Sequence, residues 1–259
     1  MQQVKTDGTD QSHLPTLHFS VPELIGDRTE YLLQNNNSTD KTEEKGFKQE
    51  KPSISNPGDA VGRIIHAAHV AASVLGQDGQ FQCIVPCNTF HAPSIFEACV
   101  KASGGIRPIH MVEETVEYIH RTMPSIKNVG LMCTTGTRSL RLYHNLLEKH
   151  GYNVCEVPED VQAELHQTIY DKQQGIKACG KTNWSTERFQ SYANMCVKSG
   201  AEVIILGCTE IPIVLQEFTI LLQSNCGAHY PFTVPLIDPL VCGARALVQK
   251  TYPNKLIGG

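Results

Sequence analysis

The sequence predicts an α/β protein in which helices cover parallel β-sheets. Three observations support this prediction. Short β-branched runs alternate with amphipathic stretches along most of the chain, which is typical of parallel sheets. A strand pattern that ends in a cysteine occurs once in each half. At 259 residues, the chain is long enough for one large domain or two smaller ones.

The predicted elements begin with a strand at Leu14–Ser20, followed by a polar, aperiodic stretch at residues 34–56. We expect that stretch to be a disordered surface insertion. A helix is predicted from Pro57, because proline suits a first helical turn and apolar residues recur at helical spacing up to Leu75. The later strand candidates are Gln82–Pro86, Arg107–His110, Asn128–Cys133, Asn153–Val157, Val203–Leu206 and Thr233–Ile237.

Composition narrows the class of protein. A net charge of −4 with mixed signs gives no basic footprint for nucleic acid and no polybasic patch for a membrane surface. No apolar run approaches the length of a membrane span, and the start of the chain is polar, unlike a signal peptide. Ten cysteines are spread through the chain, several of them inside predicted strands and helices, which favours reduced thiols. We therefore expect a soluble, cytoplasmic protein.

Two cysteines stand where buried strands open into turns. In CIVPCNTFHAP, an apolar run ends at Pro86 and is followed by Cys87, Asn88 and Thr89. In EVIILGCTEIPIVL, another apolar run is followed by Cys208 and Thr209. The two positions lie about one small α/β domain apart, which suggests a weak internal repeat. In parallel sheets, ligands bind beyond the carboxyl ends of the strands, where both thiols are predicted to lie.

Two matched thiols favour proton transfer at a carbon centre. One cysteine, as thiolate, would remove an α-proton, and the other, as thiol, would deliver a proton to the opposite face of the substrate. The helix N-termini after the two strands would favour thiolates and carboxylates. A single Cys–His hydrolase, with His91 as the base for Cys87, is an alternative.

Other candidate residues give weaker signals. CTTGTRS places Thr134 and Thr137 in a turn of small residues that could hold a carboxylate. Arg28 and Lys177 are cations beside turn glycines. Taken alone, each would be interpreted as a solvated surface charge. His66 and His69 share a helix face, but no third metal ligand is obvious. Sequence signatures of phosphate-binding loops, dinucleotide-binding turns, serine-hydrolase elbows and paired-cysteine zinc sites are missing.

Taken together, these motifs resemble the aspartate/glutamate racemase family, and specifically its aspartate racemase branch. VPCNTFH and LGCTEIP resemble the paired cysteine signatures of that family. The likeness extends to DQSHLPTLHFSVPELIGDRT, TTGTRSLRLY, IYDKQQGIKACG and VPLIDP, and so covers most of the chain. Glu210 after Cys-Thr is similar to the aspartate branch, since glutamate racemases usually carry histidine there.

The resemblance implies two flavodoxin-like parallel-sheet domains related by a pseudo-twofold axis. We expect residues 1–111 with 239–259 to form the first domain, without its usual first βα unit, and residues 112–238 to form the second. It also implies interconversion of L- and D-aspartate without cofactor or metal, by a homodimer. From the charge pattern we further expect that this protein binds neither nucleic acid nor membrane. Cys87 and Cys208 become the proton-transfer pair, and the implied substrate-binding residues are Arg28, Asn88, Thr89, Thr134, Thr137, Lys177, Thr209 and Glu210.

Two other functions stay open at this point. One is a related enzyme, either a racemase for glutamate or for a broader set of amino acids, or a relative that isomerises or decarboxylates a dicarboxylic acid. The other is a non-catalytic carboxylate-binding protein, suggested by the missing glycine-rich turn at the start of the chain.

Overall fold

The computed structural model describes residues 4–7, 9, 12–36, 55–77, 79, 81–215 and 234–257. Among these residues, four helices precede the first strand, and from Asn128 onward helices separate the strands. In order they are α1 (Arg28–Asn36), α2 (Pro57–Val74), α3 (Pro93–Ala102), α4 (Met111–Thr122), β1 (Asn128–Cys133), α5 (Thr135–Ser139), α6 (His144–Lys149), β2 (Asn153–Cys155), α7 (Glu159–Tyr170), α8 (Ile176–Cys179), α9 (Asn183–Lys198), β3 (Val203–Gly207), α10 (Ile211–Leu215), β4 (Leu236–Ile237) and α11 (Pro239–Thr251). Short 3-10 turns lie at Pro22–Leu24, Asn88–His91 and Pro253–Lys255.

The four strands form one parallel sheet in the order β2-β1-β3-β4. The central pair, β1 and β3, is in register from Val129 opposite Val203 to Cys133 opposite Gly207. Every residue of β3 is buried, as expected for a central strand that helices cover on both faces.

Successive side chains of the strands point to opposite faces of the sheet and belong to two hydrophobic clusters, one on each face. One cluster joins Leu131, Cys133, Val203 and Ile205 to residues of α4 and α11, such as Val116 and Cys242. The other joins the alternate strand residues to α7, α9 and α10; its members include Met132, Ile204, Leu206, Leu165, Phe189 and Ile211. The predicted α/β class with a helix-covered parallel sheet is therefore confirmed.

By their contacts, the residues divide into two compact units. The first unit contains the sheet and comprises the described parts of residues 1–6, 84–88 and 109–259. The second comprises the described parts of residues 7–83 and 89–108. The domain boundaries predicted from the sequence stay a prediction, as does the pseudo-twofold relation.

The second unit is built on the pairing of α2 with α3. A Cβ atom at Gly58 would lie 2.1 Å from the carbonyl oxygen of Ile95, and one at Gly62 would lie 2.5 Å from that of Cys99. The two helices therefore approach closely only because both positions are glycine. Asn56 caps α2 by accepting a hydrogen bond from the Gly58 N–H at 2.9 Å.

Several predicted elements differ from the structure. The strand at Leu14–Ser20 is wrong: the segment has no regular structure and its apolar Leu17 and Phe19 are exposed, because no neighbouring strand pairs with it. Gln82–Pro86 and Arg107–His110 reduce to a single parallel bridge between Ile84 and Ile109. Across the described residues, the only multi-stranded sheet is the one above.

The predicted insertion at 34–56 falls largely outside the described residues. Its start, Gln34–Asn36, belongs to α1, and its end, Asn56, caps α2. Thr233 of the last predicted strand is also outside the described residues. Within the described ranges, no helix is both long and apolar enough to cross a bilayer.

Candidate active site

The carboxyl ends of β1 and β3 place two candidate residues side by side. Cys133 pairs with Gly207, so Thr134 and Cys208 leave the sheet at the same edge from neighbouring strands. Such strands lie about 4.8 Å apart. This edge is where parallel sheets bind ligands.

Gly207 permits the close approach of the two strands just before Cys208. A Cβ atom there would lie 2.9 Å from Cys133 Cβ, 3.0 Å from Leu131 Cδ1 and 3.1 Å from the Met132 carbonyl oxygen. Any side chain at this position would push β3 away from β1. The glycine in LGCTEIP therefore sets the position of the thiol that follows it.

The Cys208 thiol is held by a carboxylate. Cys208 is 8% exposed, and its Sγ donates a hydrogen bond to Glu210 Oε2 at 2.9 Å. The Thr209 hydroxyl donates to the same oxygen at 3.1 Å. The other carboxylate oxygen, Oε1, forms an ion pair with Lys177 Nζ. Four residues that the sequence singled out are thus joined in one chain of contacts.

Burial and the contacts among these residues shift three pKa values. Burial raises the pKa of Cys208 well above its usual value, and the negative charge and hydrogen bond of Glu210 raise it further. Burial alone would raise the pKa of Glu210, but hydrogen bonds from Cys208 and Lys177 outweigh it, so that this pKa is lowered. Partial burial opposes the charge on Lys177, but Glu210 overcomes it and the pKa of Lys177 is raised. Cys208 is therefore a thiol, Glu210 a carboxylate and Lys177 an ammonium group near neutral pH.

Lys177 is positioned by the turn before α8 and by an aromatic ring. At Gly175, a Cβ atom would lie 2.6 Å from both the backbone N and O of Asp171, so this turn requires glycine. Lys177 Nζ lies 5.0 Å from the centroid of the Tyr170 ring, in cation–π range. Tyr170 in turn stacks on His166, with ring centroids 4.6 Å apart.

Thr134 and Thr137 form the turn after β1. Thr134 caps α5: its Oγ1 accepts a hydrogen bond from the Thr137 N–H at 3.3 Å, and the two hydroxyl oxygens are 3.1 Å apart. Both residues are buried. The Thr135 N–H donates to His166 Nδ1 at 3.4 Å, which ties this turn to α7.

Arg138, in α5, ties the same turn to residues after β2. Its guanidinium contacts Glu156 at 3.1 Å and Glu159 at 2.9 Å, and it donates to Gln162 Oε1 at 3.1 Å. Gln162 Nε2 donates to the Cys133 carbonyl oxygen at 2.9 Å. These contacts fix the threonine turn against α7 and the loop that precedes it.

The other thiol follows a much shorter strand pairing. Ile84 makes the bridge to Ile109, the Cys87 N–H donates to the Val85 carbonyl oxygen at 2.8 Å, and Cys87 is half-buried. Asn88 is only 4% exposed, and its Oδ1 accepts a hydrogen bond from the Tyr143 hydroxyl at 2.5 Å.

Two predicted site residues belong to the second unit. Thr89 is buried in the 3-10 turn Asn88–His91. Arg28 is the first residue of α1, whose N-terminus is capped by Asp27, since Asp27 Oδ1 accepts from the Glu30 N–H at 2.8 Å. The roles of these residues stay predictions.

Sequence reasoning missed four residues that support the site, namely Tyr143, Tyr170, His166 and Arg138. Tyr143 and Arg138 lie within TTGTRSLRLY, so their position beside the threonines was a usable signal. Tyr170 and His166 are four residues apart on α7, and only the fold reveals what they contact. In the part of the chain that the structure describes, no three His, Cys, Asp or Glu side chains are grouped to hold a metal ion.

Comparison with known proteins identifies the family. A model of the Asp/Glu/Hydantoin racemase family matches residues 48–247. The chain belongs to this family. It is therefore an isomerase of the amino-acid racemase type.

Individual relatives agree with that assignment. An uncharacterized protein from the pnlA 3′ region of Pectobacterium carotovorum subsp. carotovorum is 31% identical over 110 residues, which cover 40% of this chain and 69% of the relative. The Picrophilus torridus aspartate racemase has a TM-score of 0.64 at 20% identity, over 96% of this chain and 84% of that one. An aspartate racemase homologue from Pyrococcus horikoshii has a TM-score of 0.51 at 20% identity, over 88% and 94%. At these identities the two structures show that the racemase fold is shared.

Proposed function

We propose that this racemase interconverts L- and D-aspartate by moving the α-proton between two thiols. The observation that carries the proposal lies at the sheet edge of this racemase-family chain. There the Cys208 thiol donates a hydrogen bond to Glu210, and the Glu210 carboxylate is paired with Lys177. α-Proton transfer requires a positioned acid or base, which the thiol would be, and a carboxylic substrate is bound most strongly by a cation, which Lys177 would be.

The proton balance of the reaction follows from the states of the thiols. For one enantiomer, Cys87 as thiolate takes the α-proton, and Cys208 as thiol gives its proton to the opposite face of the planar intermediate. For the other enantiomer the roles are exchanged. The raised pKa of Cys208 supports its role as proton donor, because it keeps the proton at neutral pH. Neither a metal ion nor pyridoxal phosphate is needed for this balance.

Substrate binding is assigned by charge. The substrate carboxylates need hydrogen-bond donors and cations, which Lys177 and Arg28 would supply to the side-chain carboxylate. The α-carboxylate and neighbouring groups would contact the polar side chains after the strands, which are Asn88, Thr89, Thr134, Thr137 and Thr209. The fold shared with an aspartate racemase supports aspartate as the substrate. Assembly as a homodimer and a cytoplasmic location are part of the same proposal.

Proton NMR in D₂O tests the proposal directly. Purified protein is incubated with L-aspartate or L-glutamate, and the α-proton signal is followed while chiral chromatography measures the D-enantiomer. We expect the aspartate signal to decay while D-aspartate appears. Decay for glutamate alone would reassign the substrate, and no decay for either in a folded sample would favour the carboxylate-binding alternative. Cys208→Ala separates the two-thiol racemase from the Cys–His hydrolase alternative, since only the racemase needs Cys208.

A further inference from the structure

A single carboxylate connects the thiol to the cation that is proposed to bind the substrate. Glu210 Oε2 accepts a hydrogen bond from the Cys208 thiol at 2.9 Å, while Glu210 Oε1 is paired with Lys177. The Glu210 side chain is 18% exposed and that of Lys177 is 36% exposed, so a small anion can reach the lysine more easily than the carboxylate. The lysine therefore has a partner inside the protein before any substrate arrives.

This partner weakens Glu210 as a proton acceptor. The groups that face Glu210 in the described residues are the Lys177 ammonium, the Cys208 thiol and the Thr209 hydroxyl, with Tyr170 behind the lysine. All three direct contacts stabilise the carboxylate, and Lys177 adds a full positive charge. As long as the ion pair is intact, Glu210 has little tendency to take the proton that Cys208 offers to it.

We propose that the Lys177–Glu210 pair is a brake that a dicarboxylic substrate releases. The side-chain carboxylate of the substrate takes Lys177 from Glu210, and the released Glu210 carboxylate then accepts the Cys208 proton. This inference rests on the proposed function and deepens it.

The proton count is balanced at each step. The S–H bond of Cys208 breaks and an O–H bond forms on Glu210, leaving Cys208 as thiolate. The thiolate then takes the α-proton of the substrate while Cys87 gives a proton to the opposite face. When the product leaves, Lys177 pairs with Glu210 again, the carboxyl proton returns to solvent, and the Cys87 thiolate is reprotonated.

Such a brake would select substrates by rate as well as by binding. Alanine offers the same α-carbon but no second carboxylate, so it would leave Lys177 on Glu210 and Cys208 protonated. Interactions that act only on the way to the transition state change kcat, whereas a simple anchor changes binding. The brake therefore predicts that Lys177 has opposite effects on two substrates.

Lys177→Met tests this prediction by α-proton exchange in D₂O with aspartate and with alanine. We expect aspartate exchange to fall because the anchor is lost, and alanine exchange to rise by about tenfold, the effect of one pKa unit on Glu210. The gain should depend on Glu210, so adding Lys177→Met to Glu210→Gln should not raise alanine exchange above that of Glu210→Gln alone. Lys172→Met, which removes an exposed lysine from the loop before α8, is the matched control and should change neither rate.

A second measurement uses the wild-type protein and needs no turnover. Carboxyl ¹³C NMR of glutamate-labelled protein gives the pKa of Glu210, with its signal assigned by its loss in Glu210→Gln. Saturating succinate, a dicarboxylate without an amino group, should raise that pKa by about one unit or more, as Lys177→Met does. Acetate at the same concentration should have a smaller effect.

The outcomes separate this inference from the proposed function. If wild-type protein exchanges the α-proton of aspartate but Lys177→Met shows no gain with alanine, the brake is overturned and the racemase proposal stands. A Glu210 pKa that does not move at saturating succinate overturns the brake as well. If wild-type protein does not exchange the aspartate α-proton, the proposed function fails, and the brake fails with it.

Discussion

The two thiol regions share a sequence pattern but differ in how they are built. Cys208 follows β3, whose five residues are all buried and which pairs with strands on both sides. Cys87 follows a segment that is joined to its neighbour by one bridge, between Ile84 and Ile109. An apolar run followed by Cys and a small polar residue thus predicts where a thiol leaves a strand, whereas the neighbouring strands decide how rigidly it is held.

The polar groups around the two thiols differ as well. At Cys208 an acidic side chain takes the thiol hydrogen bond and is paired with a lysine. Beside Cys87 the next residue, Asn88, is held by a neutral hydroxyl, that of Tyr143. A reaction with one proton donor and one acceptor does not need identical supports on its two sides.

The largest expected effect comes from removing either thiol. Cys87→Ala and Cys208→Ala should each lower aspartate racemisation by about 1000-fold or more, because in the proposed mechanism each thiol supplies the acid or base on one face of the substrate. Chiral chromatography of the product measures the rate. Cys179→Ala, which removes an exposed thiol from α8, is the control and should retain the rate. Full activity in Cys208→Ala would refute the two-thiol mechanism.

The residue before each thiol gives the next largest effect. Gly207→Ala would place a Cβ atom 2.9 Å from that of Cys133, and should lower the free energy of unfolding by about 3 kcal/mol through overpacking between β1 and β3. The equivalent residue before Cys87 is Pro86, which is exposed, so Pro86→Ala should cost less than about 1 kcal/mol. Urea unfolding measures both. Equal losses would mean that the two regions are built alike after all.

The bounds of strands were predictable from the sequence where helices bury both faces of the sheet. The bounds of β1 were predicted from the sequence without error, and β3 differs by one residue, since continuous apolar runs mark central parallel strands. Leu14–Ser20 carries apolar residues at strand-like spacing, Leu17 and Phe19, but it has no partner strand, and local sequence does not reveal pairing. The sequence therefore predicts central strands well and unpaired apolar segments poorly.

The candidate site was predictable only residue by residue. Cys208, Thr209, Glu210 and Lys177 were all singled out from local motifs, but the ion pair between residues 177 and 210 was not. It depends on α8 being turned toward the end of β3 by the glycine-requiring turn at Gly175. Contacts across such sequence separations follow from the packing of elements, and motifs do not encode them.

Glu210→Gln should change the reactivity of one thiol and leave the other unchanged. The negative charge of Glu210 and its acceptance of the thiol hydrogen bond both raise the pKa of Cys208, so the neutral amide should lower that pKa and increase the thiolate fraction. At pH 8 we expect iodoacetamide to alkylate Cys208 about tenfold faster than in wild type, as one pKa unit implies. Mass spectrometry gives the rate at each cysteine, and Cys87 in the same sample is the internal control. A slower rate at Cys208 would show that Glu210 assists ionisation even in the free protein.

Tyr143→Phe should give the smallest effect and tests the Cys87 side alone. It leaves Asn88 Oδ1 buried without its 2.5 Å donor, which should cost about 1–2 kcal/mol in the free energy of unfolding. Because Asn88 follows Cys87 directly, we also expect the racemisation rate to fall by about tenfold, equivalent to about 1.4 kcal/mol. Tyr192→Phe is the matched control: that buried tyrosine donates to Glu164 at 3.1 Å, so stability should fall while the rate is kept. If both variants lose stability and neither loses rate, the hydrogen bond of Tyr143 supports the fold alone, and Cys87 needs no positioning through Asn88.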